Sequence, residues 1–420
     1  MTFARPFLLL SIFVVAVALF GCGDKLGASG RLRVAVVGGK EGAAIKELSK
    51  AYKERLIEVV ELPYTALKEQ LAVALTNAKP DFDVVLVDDP WFPQFSKHFA
   101  ELSSVPQELL NDILPSSLRL CRDPYGDGVL KALPFVGNSQ MLFVRTDLLK
   151  RYKVTSSLGT WSGVVESASK ITAAGRAATP PEYGYAIRGK SGAPIVTDIL
   201  PVYWSLGGKI LSKSAEGKLS VSIDGPVLEQ TFQIYKSLAG SSPPGAVNYD
   251  WNEMTADFAA GRVAMELNWP IAIEGFVAKL GLPGEKGVWD ILPPPGKDSA
   301  GTSMIGNWLL AIPKDSSNRV AAEQFVVWLM QNQHVVAGPD TPPTRKSIYK
   351  SFAENERLAY MSKVRDAIEN STARDRTERW GLVEDAFSVS AQNVLAGNGS
   401  PASSATEFKK KMEQLFASDK

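Results

Sequence analysis

The chain of 420 residues holds two histidines and two cysteines. With so little imidazole and thiol, most metal-ligand sets and most Ser–His or Cys–His nucleophile schemes lose their commonest residues. No Gly-x-Ser-x-Gly elbow and no His-Glu-x-x-His pair occurs, so the short signatures of several hydrolase classes are missing. An excess of one charge is also absent. Lys plus Arg number 46 against 45 for Asp plus Glu, and this balance implies no polyanion-binding face and no nucleic-acid partner. Hydrophobic residues make up 45% and charged residues 22%, as in ordinary globular chains. The length exceeds what one core usually fills, so two globular units are expected.

Long apolar runs are scarce, with one exception at the start. Arg5 precedes the uncharged stretch Phe7 to Phe20, which suits a signal-peptide core and is short for a spanning helix of about 20 residues. Leu19-Phe20-Gly21-Cys22 follows and resembles the bacterial lipobox, in which the cysteine is lipidated and becomes the mature N-terminus. Residues 1–21 are therefore expected to be a signal peptide, Cys22 the lipidation site and 22–30 a flexible tether. The competing reading of the same stretch is an uncleaved membrane anchor. Lipidation of Cys22 would leave Cys121 without an intramolecular partner, and Cys121 is expected to be a buried small hydrophobe.

Leu32 to Val37 reads as a buried strand ending at Gly38-Gly39, and Ile45, Leu48 and Tyr52 then recur at helical spacing. Ile57 to Leu62 repeats the strand, Thr65 to Ala78 the helix, and Asp83 to Val87 supplies a third strand. This alternation predicts a parallel sheet covered by helices. Ligands of such sheets lie beyond the carboxyl ends of the strands, here Gly38 to Glu41 and Asp88 to Trp91. Farther on, Thr160-Trp161 opens a helix, Ser212 to Lys218 is a surface turn, and Pro293 to Gly296 is a break. The stretch from Trp308 to Pro313 is strand-like, Ala322 to Leu329 lies on one helix, and Ala396 to Ala405 is expected to be a loop.

Six blocks, in order, resemble the extracellular solute-binding proteins of ABC importers, specifically the carbohydrate-binding group that includes maltose- and trehalose-binding proteins. They are Asp83 to Trp91, Ala132 to Phe135 with Met141 to Leu148, Trp204 to Gly208, Phe258 to Met265 with Trp269, Ala311 to Lys314, and Pro342 to Arg345. The resemblance implies a periplasmic-binding-protein-like α/β fold of two lobes, joined by three crossings, with a ligand cleft that closes by hinge motion. The crossings are expected near Gly137, Met304 and Val336. Lobe 1 then comprises 31–136 and 305–335, and lobe 2 comprises 137–304 and 336–420. A monomer is expected, working with the transmembrane subunits of a permease outside the cytoplasm and touching the membrane only through its lipid. No cofactor and no metal site are expected.

A pyranose presents hydroxyls at its edge and C–H groups on its faces, so a sugar site needs polar partners together with flat rings. Asp88 and Asp89 would accept hydroxyl protons, Asn138 and Asn307 could donate and accept, and Arg345 offers directed donors. Asp250 stands beside Trp251, and Trp91, Trp251, Trp269 and Trp308 could stack on sugar faces. Gly306 would let the backbone approach the ligand. Lys40 and Glu41 match family positions that often touch ligand. Each has a structural competitor. Asp88 could cap the following segment, Glu41 could serve the helix dipole, and Trp204, a further candidate platform for a sugar face, more often fits a core position, as do Trp161, Trp328 and Trp380.

Two functions of other classes compete. A glycoside hydrolase would need two carboxyls flanking the scissile bond from opposite sides, and adjacent Asp88 and Asp89 do not supply that. A binding protein coupled to a sensor instead of a transporter shares every feature above.

Overall fold

The computed structural model describes residues 30–75, 80–214 and 217–417; the expected signal peptide, Cys22 and all of the tether but Gly30 lie outside these. The chain opens with β1 (Leu32–Val37), an apolar strand buried almost throughout. Gly39, with φ of 121°, turns it into α1 (Lys40–Ser49). Gly42 lets that helix sit directly on the strand, because a Cβ there would fall 1.9 Å from the Val37 carbonyl oxygen. β2 (Ile57–Leu62), α2 (Tyr64–Ala74) and β3 (Val84–Asp88) complete the alternation read from the sequence. β4 (Ala132–Val136) follows, then β5 (Met141–Val144), α3 (Trp161–Gly175), α4 (Ala193–Ser205), α5 (Gly225–Gly240), α6 (Trp251–Ala259) and β6 (Met265–Asn268). α7 (Ala272–Leu280), β7 (Asp290–Leu292), β8 (Ser303–Met304), β9 (Trp308–Ala311), α8 (Arg319–Gln331), α9 (Met361–Glu369), β10 (Ser371–Thr372), α10 (Trp380–Ala396) and α11 (Pro401–Leu415) carry the rest.

Two sheets organise two α/β lobes. The larger has the order β2-β1-β3-β9-β4, and the smaller is β6-β5-β7. β1 runs parallel to β2 and β3, as the alternation predicts. β9 does not: it pairs antiparallel with both β3 and β4. It enters the sheet after the chain has visited the second lobe, so it starts at the crossing end where β3 and β4 finish. In the small sheet, strand alternation sends Phe143 of β5 to one face, against Phe258, Phe276 and Trp289. Leu142 and Val144 go to the other face, into a core with Trp161, Ile199, Phe232, Phe387 and Phe408 from the long helices.

Three segments join the lobes. Residues 137–140 link β4 to β5 and 305–307 link β8 to β9, with a bridge between Ser139 and Ile305. The third differs from the expectation near Val336. The chain stays on the first lobe past Val336: Gln333 and Thr344 donate to the Phe135 and Pro134 carbonyls of β4, Arg345 pairs with Asp112, and α9 packs on the helix Pro115–Leu120. The second core is entered at Trp380. Between them β10 pairs with β8. The expected loop from Ala396 to Ala405 is also shorter than read. Gly397, with φ of 75°, ends α10, and Ser400 accepts from the Ser403 amide to cap α11, with Pro401 in its first turn. Among the described residues no helix is long and apolar enough to cross a membrane.

Candidate functional site

A cavity of about 800 Å³ lies between the lobes. From the first lobe it is lined by Gly38 and Glu41 beyond β1, Tyr64 and Thr65 at the start of α2, Asp88 at the end of β3, and Trp308. These are strand ends and the helix starts that follow them, as expected for a sheet of this kind. The second lobe supplies Arg188, Lys190, Thr197, Asp250, Trp251 and Trp269, among others. Each joining segment adds one residue: Asn138, Gly306 and Arg374.

The two adjacent acids at the end of β3 have separate tasks. Asp88 faces the cavity and accepts from the Tyr64 hydroxyl at 2.7 Å, making no cap bond to the turn that follows. Burial pushes its carboxyl up to about 7, opposed by the nearby Arg374 charge and reinforced by Asp89. Asp89 has no exposed surface. Its carboxylate takes Arg374 Nη2 at 2.7 Å and Arg376 Nη1 at 3.2 Å, while its carbonyl accepts from Arg376 at 2.8 Å. It lies behind the cavity wall and fastens the third joining segment to the first lobe. Two cations share one buried carboxylate, so the removal of Asp89 would take from each its carboxylate hydrogen bond and leave Arg374 facing only the nearby acids Asp88 and Glu384.

On the second lobe Asp250 is the organising acid. It caps α6 through a capping box with Glu253 and takes Arg188 at 2.6 Å and Lys190 at 2.9 Å. Burial would raise its carboxyl, but these cations and the Trp251 amide hold it down to about 2. Arg188 is fixed at its backbone as well, since its amide donates to buried Asp198 at 3.0 Å.

The aromatic part is a wall of rings. Trp308 stands edge-on to Tyr64 and Trp91, with centroids 6.1 and 6.0 Å away. Trp91, 4% exposed, lies behind Tyr64 at 4.7 Å and lines no part of the cavity. Trp269 lies over Gly306, where a Cβ would come within 2.8 Å of the indole ring. Three buried polar atoms of cavity-lining residues have no hydrogen-bond partner: Asn138 Oδ1, Trp251 Nε1 and Arg374 Nε.

The structure thus brings Glu41, Asp88, Asn138, Asp250, Trp251, Trp269, Gly306 and Trp308 to one cavity. Six other sequence candidates are placed elsewhere. Arg345 is held by Asp112 at 2.8 Å and by the carbonyls of Met330 and Gln331. Asn307 is buried, bonded to the Asn138 amide and to Ser117. Trp204 packs on the second core. Asp89 and Trp91 stand behind the wall, and Lys40 pairs with Glu274 at 2.9 Å and Asp340 at 3.1 Å. Sequence reasoning missed Tyr64, Arg188, Lys190 and Arg374. Tyr64, the first residue of α2 after the second strand, occupies a place that the strand-end rule covers, and that signal was available.

A second cavity, of about 860 Å³, indents the outer face of the first lobe around Tyr52, Ala100 and Trp328. One lobe alone supplies its walls, and none of the residues holding the unpaired atoms named above lines it. Among the described residues no group of three or more His, Cys, Asp or Glu side chains is placed to hold a metal ion.

Comparison with known proteins agrees with this architecture. The family model for bacterial extracellular solute-binding proteins matches residues 38–335. A "Probable ABC transporter-binding protein" of Deinococcus radiodurans is 29% identical over 332 residues, which is 76% of this chain and 77% of that one. A protein of Sinorhizobium fredii described as a probable amino-acid ABC transporter periplasmic-binding protein is 25% identical, over 65% of this chain and 62% of the other. Among solved structures, maltose-bound MalE3 of T. maritima superposes with a TM-score of 0.78 at 24% identity, covering 92% of this chain and 100% of that one.

Proposed function

Because the chain belongs to the bacterial extracellular solute-binding proteins, the ligand-capturing components of ABC transporters, we propose that it binds a sugar or polyol between its lobes and delivers it to a membrane permease. The observation that carries this reading is a cavity where carboxyls, amides and indole rings meet and where three lining residues each hold a buried polar atom without a partner. Trp251 Nε1 and Arg374 Nε need acceptors, and Asn138 Oδ1 needs a donor. Burying such groups unpaired is unfavourable by about 1–3 kcal/mol each. Hydroxyl groups supply both donors and acceptors from one atom type, and they also suit the Asp88 and Glu41 carboxyls. The indoles of Trp251, Trp269 and Trp308 offer rings for C–H faces.

The relative from Sinorhizobium raises an amino acid as the alternative ligand. The cavity serves it less well, because Arg188 and Lys190, which could take a carboxylate, are already matched by Asp250. The Cys22 motif supports attachment to a membrane by lipid. The family consists of transport proteins.

The test is thermal unfolding of the protein with maltose, mannitol, glutamate and glutamine. One carbohydrate should raise the transition, by about 2.7 kcal/mol at hundredfold excess over its Kd, and Trp251→Phe, which keeps a ring and loses the N–H, should weaken it. Stabilisation by the amino acids alone, or release of cleavage products from maltose, would refute the proposal.

A further inference from the structure

Lys40 is next to cavity-lining Glu41 in the sequence, yet its amine is used on the far side of the cleft mouth. Nζ donates to Glu274 Oε2 at 2.9 Å and lies 3.1 Å from Asp340 Oδ2. Glu274 sits in the first turn of α7. Ile271, just before that helix, lines the cavity, and Phe276 anchors the helix on the small sheet against Phe143 and Trp289. Asp340 is two residues before Pro342, whose carbonyl accepts from the Gly137 amide in the first joining segment. One ammonium therefore ties the first lobe to the second, while Asp340, on the stretch that packs beside the first joining segment, holds the lysine in place. By contrast Lys46, on the same helix, pairs with Glu61 inside the first lobe.

We propose that Lys40, held by Asp340 on its own lobe, and Glu274 on the other form a charge clasp across the cleft mouth that favours lobe closure and slows ligand release without touching the ligand. The inference rests on the binding function proposed above only for its effect on release; the clasp itself belongs to the ligand-free protein too. An ion pair within one lobe persists whether the lobes are apart or together, so it has no leverage on their equilibrium. A pair between lobes exists only when they meet, and its whole interaction enters the closure equilibrium. All of these side chains reach solvent, Lys40 at 55% and Glu274 at 57%. Their effect is that of an exposed pair, modest and removed by salt.

The test uses small-angle X-ray scattering of the ligand-free full chain and stopped-flow release of maltose, for the wild type, Lys40→Met, Glu274→Gln and the control Lys46→Met. At low salt, Lys40→Met and Glu274→Gln should enlarge the radius of gyration and speed release by about two- to fivefold. At about 1 M salt both differences should vanish, and Lys46→Met should match the wild type throughout. A Lys40→Met protein with the wild-type scattering profile at low salt overturns the clasp. If the wild type binds no maltose, the release measurement tests the choice of sugar, and the scattering still decides the clasp.

Discussion

Gly306 shows how one missing side chain shapes the site. Read from the sequence, its smallness would bring the backbone close to a ligand; in the structure the space is taken by the Trp269 ring. Gly306→Ala should displace that indole and weaken carbohydrate binding by about two- to tenfold, the range of one ring contact, with a smaller change in unfolding midpoint; titration of tryptophan fluorescence measures it. Trp251 and Trp269 were legible because each interrupts a periodic stretch beside a turn. The division of labour between Asp88 and Asp89 was not. Both stand at one strand end, and what separates them is Arg374 and Arg376, 285 and 287 residues away along the chain, which no local pattern announces. Arg345 and Arg374 look alike in the sequence for the same reason. Only packing shows that the first is occupied by Asp112 and that the second lines the cavity and keeps a buried, unpaired Nε.

Among the elements, those built from local rules were read well and those built from long-range entry were not. β1, β2 and β3 follow from apolar runs bounded by turn residues. β9 has the same composition, and nothing in Trp308 to Ala311 encodes its direction; that is set by the crossing from which it arrives. The start of α11 was legible and passed over: Ser400 followed by Pro401 is a cap followed by a residue suited to the first turn. Small residues on either side made the stretch resemble a loop. Ser400→Ala should lower stability by about 1 kcal/mol, seen as a lower urea midpoint with unchanged slope. Because α11 packs on α5 and α10 in the second core, carbohydrate affinity should stay near the wild-type value.

At the scale of the whole molecule, buried acids set the response to pH. Burial raises Asp88 to about 7, Asp198 to about 6, Glu266 to about 8 and Asp375 to about 7. Each binds a proton more tightly folded than unfolded, so its contribution is present below its unfolded value near 4 and is lost as pH rises through 6 to 8. Asp250, held down to about 2 mainly by Arg188 and Lys190 against the effect of burial, acts oppositely and loses its contribution as pH falls below 3.8. Thermal unfolding should therefore occur at a higher temperature at pH 5 than at pH 9. Glu266→Gln, which can still accept from Asn268 and cannot ionise, should reduce that difference. An unchanged difference in Glu266→Gln would mean that Glu266 ionises much as it does in the unfolded chain.

The central position of β9 also governs the order in which the molecule can be completed. β3 and β4 have no strand between them until residues 308–311 arrive, some 170 residues after β4 has left the ribosome. A nascent or truncated chain ending before Trp308 carries two open strand edges and, between them, an unfilled slot in the first lobe. The second lobe's small sheet, closed by residue 292, can pair its strands earlier, while the helices that fill its core, α10 and α11, arrive only after β9.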